Sequence, residues 1–181
     1  MRRLFIVMMV PLMIGFMAEG ALASSVHLKG GPRAEPSFTD NGLTLEAAGE
    51  LAGLGEGDIF VEVEATGNVT ATCTNPAGAT QPPGQNPAPV TVKGGEPIPE
   101  SEIKNGTLPF DVETDEPVTP IVGAPECPNP HWTEDITDVA FTSATIRISQ
   151  GGVLVLTVSC TFSSPTADGP VPGSNVSCTS S

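Results

Sequence analysis

The sequence is poor in cations and in aromatic side chains. It contains no Tyr and one Trp, and its seven Lys and Arg residues stand against 21 Asp and Glu residues, which gives a formal net charge of −14. So few cations argue against binding to nucleic acids, whose phosphates need basic partners, and against binding to anionic membrane surfaces. The acidity itself is typical of a protein that stays soluble in an extracellular setting.

Long apolar runs are also missing, apart from one at the N-terminus. Residues 4–18 form an apolar run after a basic start, and a small-x-small cleavage pattern ends at Ala23. This predicts a signal peptide over residues 1–23 that is cut after Ala23. An uncleaved anchor is the alternative, although the run falls short of the about 20 apolar residues that span a bilayer. We expect the mature chain, residues 24–181, to be secreted or held at the cell surface, with no integral membrane segment.

Long helix-forming patterns are absent from the mature chain. Its apolar residues fall in short runs separated by Gly, Pro and Asn, and residues 75–89 are especially rich in Pro, Gly, Gln and Asn. Short runs of this kind are typical of all-β proteins, and the length suits one domain. We expect about eight to ten strands in a two-sheet antiparallel β-sandwich of Ig-like or jelly-roll type, with long Pro/Gly-rich loops.

Two parts of the chain predict strands most clearly. Residues 59–74 alternate between apolar and polar side chains, which indicates one buried and one solvated face, with a bend expected at Gly67. Residues 141–149 and 153–162 alternate in the same way on either side of a Gly-rich connection. They predict a hairpin, and the second strand is expected near the centre of its sheet because its apolar face is the richest.

Gly and Pro residues indicate the structure of three further segments. Residues 49–57 have closely spaced glycines and predict a loop or a single helical turn. Residues 90–93 predict a strand that ends at Gly94 and Gly95. Residues 118–122 predict a strand that the flanking prolines restrict to a sheet edge.

The four cysteines are Cys73, Cys127, Cys160 and Cys178. In an exported chain they are expected to form two disulfides, and the lack of a Cys-x-x-Cys motif argues against a metal site. Cys73 and Cys127 each begin a Cys-x-Asn-Pro step, while Cys160 and Cys178 flank a hairpin-like return. This favours the pairs 73–127 and 160–178, and leaves 73–160 with 127–178 as the alternative.

An acidic run supplies candidate metal ligands. Asp111, Glu113 and Asp115 are spaced so that their carboxylates would share one strand face. Carboxylate oxygens are the ligands that Ca²⁺ prefers, although the EF-hand pattern is absent. A solvated outer face would contain the same residues, and no other cofactor is indicated.

A second candidate site surrounds the one tryptophan. His131 and Trp132 precede the acidic residues Glu134, Asp135 and Asp138. A carboxylate near a Trp could bind a sugar, but a single Trp without Tyr makes a poor stacking platform. Trp132 as a core or loop anchor is therefore the favoured interpretation, and both residues stay weak binding candidates.

The sequence does not predict a catalytic set. It has no Gly-x-Ser-x-Gly elbow, and its two histidines lie just past the cleavage site and in a Pro-rich loop. We expect a non-catalytic extracellular module with a structural, adhesion or binding role. Its partner would be an extracellular protein or a component of the cell envelope. The alternative is a secreted hydrolase or a polysaccharide-binding accessory domain.

Four segments of the mature chain carry a resemblance. They are residues 71–76, 127–132, 138–145 and 158–162. These segments resemble those of a group of uncharacterised, secreted bacterial β-rich proteins with four cysteines. The resemblance brings no function, but it implies a bacterial origin. The glycosylation-type sequences at Asn68, Asn105 and Asn175 would then be ordinary turn residues.

Overall fold

The structure is a computed structural model that describes residues 26–31 and 33–181. The predicted signal peptide lies outside these residues. The described part contains eleven strands and two short 3₁₀ helices, Glu100–Glu102 and Gly173–Asn175. The strands are β1 (His27–Leu28), β2 (Ser37–Asp40), β3 (Leu45–Ala52), β4 (Ile59–Thr74), β5 (Thr80–Gln81), β6 (Val90–Ile98), β7 (Thr107–Glu113), β8 (Thr133–Gln150), β9 (Val153–Phe162), β10 (Gly169–Pro170) and β11 (Val176–Ser180).

The strands form two antiparallel sheets, which confirms the predicted two-sheet sandwich. In sheet A, β3 pairs with β7 on one side and with β2 and then β1 on the other, and β10 extends β2. In sheet B the order is β11, β9, β8 and β4, and the far side of β4 pairs first with β6 and then with β5. No helix in the described part of the chain combines the length and the apolar character needed to cross a membrane.

The core lies between the two sheets because the apolar positions of each strand share one face. In β4, Val61 and Val63 are buried, and their neighbours across the sheet in β8 are Ile148 and Ile146, which are also buried. Contact between the sheets includes the rings of Phe38 from β2 and Phe162 from β9, which pack edge to face with centroids 5.2 Å apart. Burial of this face is the main force that holds the sandwich together.

The long strand predicted over residues 59–74 is confirmed, together with an irregularity at its glycine. The pairing of β4 with β8 shifts register between Thr66 and Gly67. Gly67 is required there, because an added Cβ would lie 2.6 Å from Cγ1 of Val139 and 2.9 Å from the carbonyl oxygen of Ala140. The partner strand is longer than the alternation suggested, since β8 begins at Thr133 instead of Phe141.

Two strands continue through glycines that were predicted to end them. β3 runs to Ala52, so the loop predicted over residues 49–57 begins only at residue 53. Gly49 leaves room for the ring of Phe110, which lies 2.8 Å from the position of an added Cβ. β6 runs through Gly94 and Gly95 to Ile98. Glycine in these strands marks a close approach of neighbouring groups, not the end of pairing.

One other strand prediction is wrong. Residues 118–122 do not form a strand, although Ile121 lies beside the start of β8 and its N–H donates to the carbonyl oxygen of Glu134 over 2.8 Å. β9 is an interior strand of its sheet, as expected, because it pairs with β8 on one side and with β11 on the other. β8 lies in the middle of the sheet, and the sequence predicted only part of its long ladder with β4.

Candidate functional site

The cysteines form the two disulfides that the sequence favoured. Cys73 is joined to Cys127 across 54 residues, and Cys160 is joined to Cys178 across 18 residues. Cys73 is fully buried near the end of β4, so the first bridge fixes the β7–β8 connection onto sheet B. Cys160 and Cys178 lie directly opposite each other on β9 and β11. Two disulfides are consistent with an oxidising, extracellular environment.

The predicted calcium ligands are only partly brought together. Asp111 and Glu113 are exposed on β7, whereas Asp115 lies beyond the end of that strand. The carboxylate of Glu113 accepts hydrogen bonds from the hydroxyl of Thr44 and from the amide of Asn41, and these two bonds lower its pKa. Over residues 26–31 and 33–181, no group of three or more His, Cys, Asp or Glu side chains could hold a metal ion. Calcium binding stays a prediction.

The acidic residues near the tryptophan do not gather around it. His131 is exposed and Trp132 is half-buried, and the backbone N–H of each donates to Asn129. Glu134 is fully buried on the inner face of β8, whereas Asp135 is only half-buried one residue further on. The pleat of β8 thus points these carboxylates in different directions.

Glu134 is an unusual component of the interior. Its Oε2 accepts a hydrogen bond of 3.3 Å from the N–H of Glu126, while its Oε1 accepts none from any described residue. A buried carboxylate with so few partners is costly for the fold. Its one side-chain bond and its backbone bond to Ile121 tie the β7–β8 connection down over this end of the sandwich.

A buried aspartate on β2 joins three parts of the fold. Asp40 is 2% exposed, and its carboxylate accepts hydrogen bonds from the N–H of Gly42 and from the hydroxyl of Thr166. The same hydroxyl accepts a hydrogen bond from the N–H of Phe141 in β8 over 2.8 Å. Both oxygens of Asp40 are therefore used in holding the β2–β3 turn, β8 and the β9–β10 loop together.

Asp138 belongs to the same region and has a perturbed pKa. Burial raises the pKa of Asp138, and the nearby negative charges of Asp168 and Asp40 raise it further. No sequence pattern indicates this group, because its three members come from distant strands and loops.

The outer face of sheet B carries rows of hydroxyl groups that cross several strands. Ser143, Thr161 and Ser177 lie side by side on β8, β9 and β11, and Thr145, Ser159 and Thr179 form the next row. Thr157 and Ser181 continue the array, paired through two backbone hydrogen bonds of 2.8 and 2.9 Å. We call these eight residues the hydroxyl grid. Neighbouring strands lie about 4.8 Å apart, and successive outward residues about 6.8 Å apart.

The eight side chains of the hydroxyl grid are uncharged in a strongly acidic protein. β9 and β11 contain no Asp, Glu, Lys or Arg, and Asp168 is the one residue with a charged side chain after Arg147. The outer face of sheet A is different, because Glu46, Asp111 and Glu113 lie on the outward positions of β3 and β7. The sandwich therefore has one acidic outer face and one on which strands β9 and β11 are neutral.

An ion-pair network borders the hydroxyl grid on β4, β6 and β8. Arg147 binds Glu62 over 3.1 Å and Glu64 over 3.3 Å, and Lys93 binds Glu64 over 2.6 Å. The bonds from Lys93 and Arg147 lower the pKa of Glu64. The two cations and two carboxylates balance, so this strip adds hydrogen-bonding groups to the face without adding net charge.

Apolar side chains lie exposed at the other side of the ion-pair network. Phe60 is 42% exposed and Leu154 is 55% exposed. Ser149 lies between them, since it pairs with Phe60 on β4 and with Leu154 on β9. The ring of Phe60 lies over Gly95, where an added Cβ would come within 2.6 Å of it. The ring of Phe60 therefore has a fixed place on this face, where its exposed part can contact a partner.

A further apolar surface lies beside the β7–β8 connection. It is a groove of about 490 Å³ whose lining includes Pro89, Pro120 and Pro125, together with Val118 and Val122. Both valines are almost fully exposed, at 86% and 92%. The groove has few polar groups with which to orient a ligand.

The fold and the disulfides define the class of protein: a disulfide-stabilised antiparallel β-sandwich with unlike outer faces. The chain matched no protein-family model, no curated protein and no solved structure in comparisons with each. The bacterial resemblance stays a prediction, and function has to be argued from this chain's own residues.

Proposed function

We propose that the chain is a non-catalytic binding module that acts outside the cell, either released or held at the cell surface. Its N-terminal pattern is typical of export, and its two disulfides suit an oxidising compartment. The outer face of sheet B is its binding surface. Exposed binding groups on a rigid sheet are held in fixed positions, which lowers the entropic cost of association.

The observation that carries this proposal is the separation of charge between the two outer faces. A protein with a net charge of −14 repels other acidic molecules and surfaces. The hydroxyl grid contributes nothing to that repulsion, so this face can approach a partner closely. The exposed Phe60 and Leu154 at its border add apolar area that a solvated face does not need.

A secreted hydrolase is the alternative, and one observation favours it. Asp138 has a raised pKa beside other carboxylates, which is a pattern found at catalytic sites. A carboxylate pair that cleaves a glycoside must, however, reach the substrate from both sides. Asp40 is buried and both of its oxygens already accept hydrogen bonds within the protein, so we favour the structural role for this group.

Charge placed on one outer face at a time tests the proposal. We would make the mature chain with Ser159→Asp and Thr161→Asp on sheet B, and a charge-matched control with Ala48→Asp and Thr107→Asp on sheet A. Each protein would be sedimented with envelopes and culture solids from the cells that produce it. The sheet B variant is expected to stay in the supernatant while the control sediments like the wild type. Equal sedimentation of all three proteins would contradict the proposal.

A further inference from the structure

We propose that the outer face of sheet B binds a neutral polysaccharide, with one sugar ring packed against Phe60 and the following sugars lying across the ion-pair network and the hydroxyl grid. This inference rests on the proposed function, because it names the ligand of the same face. Its basis is the order in which three kinds of side chain follow one another on a single surface.

The apolar end of the face matches the least polar part of a sugar. A pyranose ring has a face of C–H groups and a rim of hydroxyls, so it packs against an aromatic ring while its rim stays polar. Phe60 presents such a ring, which lies against Gly95, and the exposed Leu154 lies two strands away across Ser149. Aromatic side chains are effective anchors for this reason, since they bury a large area with few rotatable bonds.

The ion-pair network supplies the strongest polar contacts. Arg147 and Lys93 donate hydrogen bonds and Glu62 and Glu64 accept them, so a sugar hydroxyl can use both of its functions here. Hydrogen bonds to charged groups are stronger than those between neutral groups. The four side chains also hold one another in place, which leaves less freedom to lose when a ligand binds.

The hydroxyl grid extends the site along a polymer. A hydroxyl both donates and accepts, so rows of Ser and Thr can pair with hydroxyls of a sugar chain in either direction. Water competes for every one of these bonds, and each adds little alone. The face should therefore bind a long or insoluble polysaccharide well and a short oligosaccharide weakly, because many weak contacts act together.

The charge of the protein decides between neutral and charged polymers. Anionic polysaccharides would be repelled by the net charge of −14. Cationic ones would be drawn to the acidic face of sheet A, and high salt would remove that attraction. Contacts made by Phe60 and the hydroxyl grid involve no charge, so binding through them is expected to persist at high ionic strength.

The experiment measures depletion of the mature chain by insoluble polymers at low and high ionic strength. Cellulose, starch granules and mannan are the neutral probes, alginate is the anionic probe and chitosan the cationic one. Native envelopes are tested beside them in three forms: untreated, treated with periodate, and treated with protease. Periodate cleaves sugars at neighbouring hydroxyls. We expect retention on untreated and protease-treated envelopes and on at least one neutral polymer, at both ionic strengths, and loss after periodate.

Substitutions identify the contacts. Phe60→Ala is expected to weaken retention about tenfold or more, the scale of one lost anchor residue, while Phe60→Trp retains it and shows that the ring is the group required. Thr161→Val removes a hydroxyl of the grid at nearly constant volume and should weaken retention, whereas Val122→Ala, an exposed apolar residue off this face, should not. Thermal melts of each variant check that the fold is kept.

Several results would overturn the inference. The first is a Phe60→Ala variant that is folded and retained like the wild type. The second is retention on chitosan alone that is lost in high salt. The third is envelope binding that survives periodate and is lost after protease. The last result would leave the proposed binding function standing with a protein as its partner. Absence of any envelope binding would remove both. Sedimentation of a dimer that Ser159→Asp dissociates would assign the face to self-association instead.

Discussion

The prediction that tests the fold most directly is the effect of a methyl group at Gly94. At this position β6 passes the end of β7, and an added Cβ would lie 2.0 Å from the carbonyl oxygen of Glu113 and 2.7 Å from Cα of Thr114. Both are backbone atoms, so no side chain can rotate away to make room. Gly94→Ala must therefore push the two strands apart.

The local hydrogen bonds resist that movement. Next to Gly94, the carbonyl oxygen of Lys93 accepts the N–H of Asp115 over 2.8 Å, and Thr114 is fixed to Leu45 by its own N–H and by its hydroxyl, each over 3.0 Å. Overpacking costs about 1–3 kcal/mol, and losing one hydrogen bond adds about 1 kcal/mol. We expect Gly94→Ala to lower the free energy of unfolding by about 2–4 kcal/mol. At about 2–4 °C per kcal/mol, the melting temperature falls by about 10 °C.

Urea unfolding of the oxidised mature chain, followed by circular dichroism, measures this free energy. Gly173→Ala is the matched control, because no neighbouring atom lies within 4 Å of its added Cβ. It should change the free energy of unfolding by less than about 1 kcal/mol. The denaturant dependence should stay constant in both variants. If Gly94→Ala unfolds at the wild-type urea concentration, the close crossing of β6 and β7 is wrong.

The remaining predictions concern the bridges and one carboxylate. Replacing both cysteines of a bridge by Ala should cost about 4 kcal/mol for the bridge to Cys127 and about 3 kcal/mol for the bridge to Cys178, because the first closes the longer loop; equal losses in urea unfolding would contradict this. Asp138 binds its proton more tightly in the folded state, so its stabilising contribution is present below an ordinary Asp pKa of about 3.9 and is lost as pH rises through its raised pKa. Asp138→Asn should thus gain stability over the wild type as pH rises to neutral, and a constant difference in melting temperature across that range would refute the assignment.

The sequence correctly predicted strands that have one apolar and one polar face. Predictions that a strand ends at a glycine were wrong. Alternation over residues 59–74 predicted β4 correctly, since a period of two is specific to a strand with one buried face. Gly94 and Gly95 were predicted to end a strand, although they allow two close contacts within β6: the backbone of β7 and the ring of Phe60. The sequence alone does not distinguish a glycine that ends a strand from one that allows another group to approach the strand closely.

The candidate site was harder to predict, because it depends on register. The Ser and Thr residues of β8, β9 and β11 are ordinary outward positions when each strand is considered alone. They become rows only when the pairing of Thr145 with Ser159, and of Ser159 with Thr179, is fixed. The weak candidates His131 and Trp132 stood out in the sequence because they are rare residue types. Composition could indicate that β9 and β11 are poor in charge, since charged side chains almost disappear from the sequence after Arg147.

The disulfide between Cys160 and Cys178 explains how such rows can be kept in line at the edge of a sheet. β11 is a short strand that pairs only with β9 among the described residues, and a slip of one residue would turn its outward hydroxyls toward the core. The bridge between the two facing cysteines prevents that slip. Each cysteine is the centre of the same tripeptide, Ser-Cys-Thr, and the antiparallel pairing sets the Ser of one against the Thr of the other. The bridge between the two tripeptides thus also fixes the alignment of the hydroxyl grid on the opposite side of the sheet.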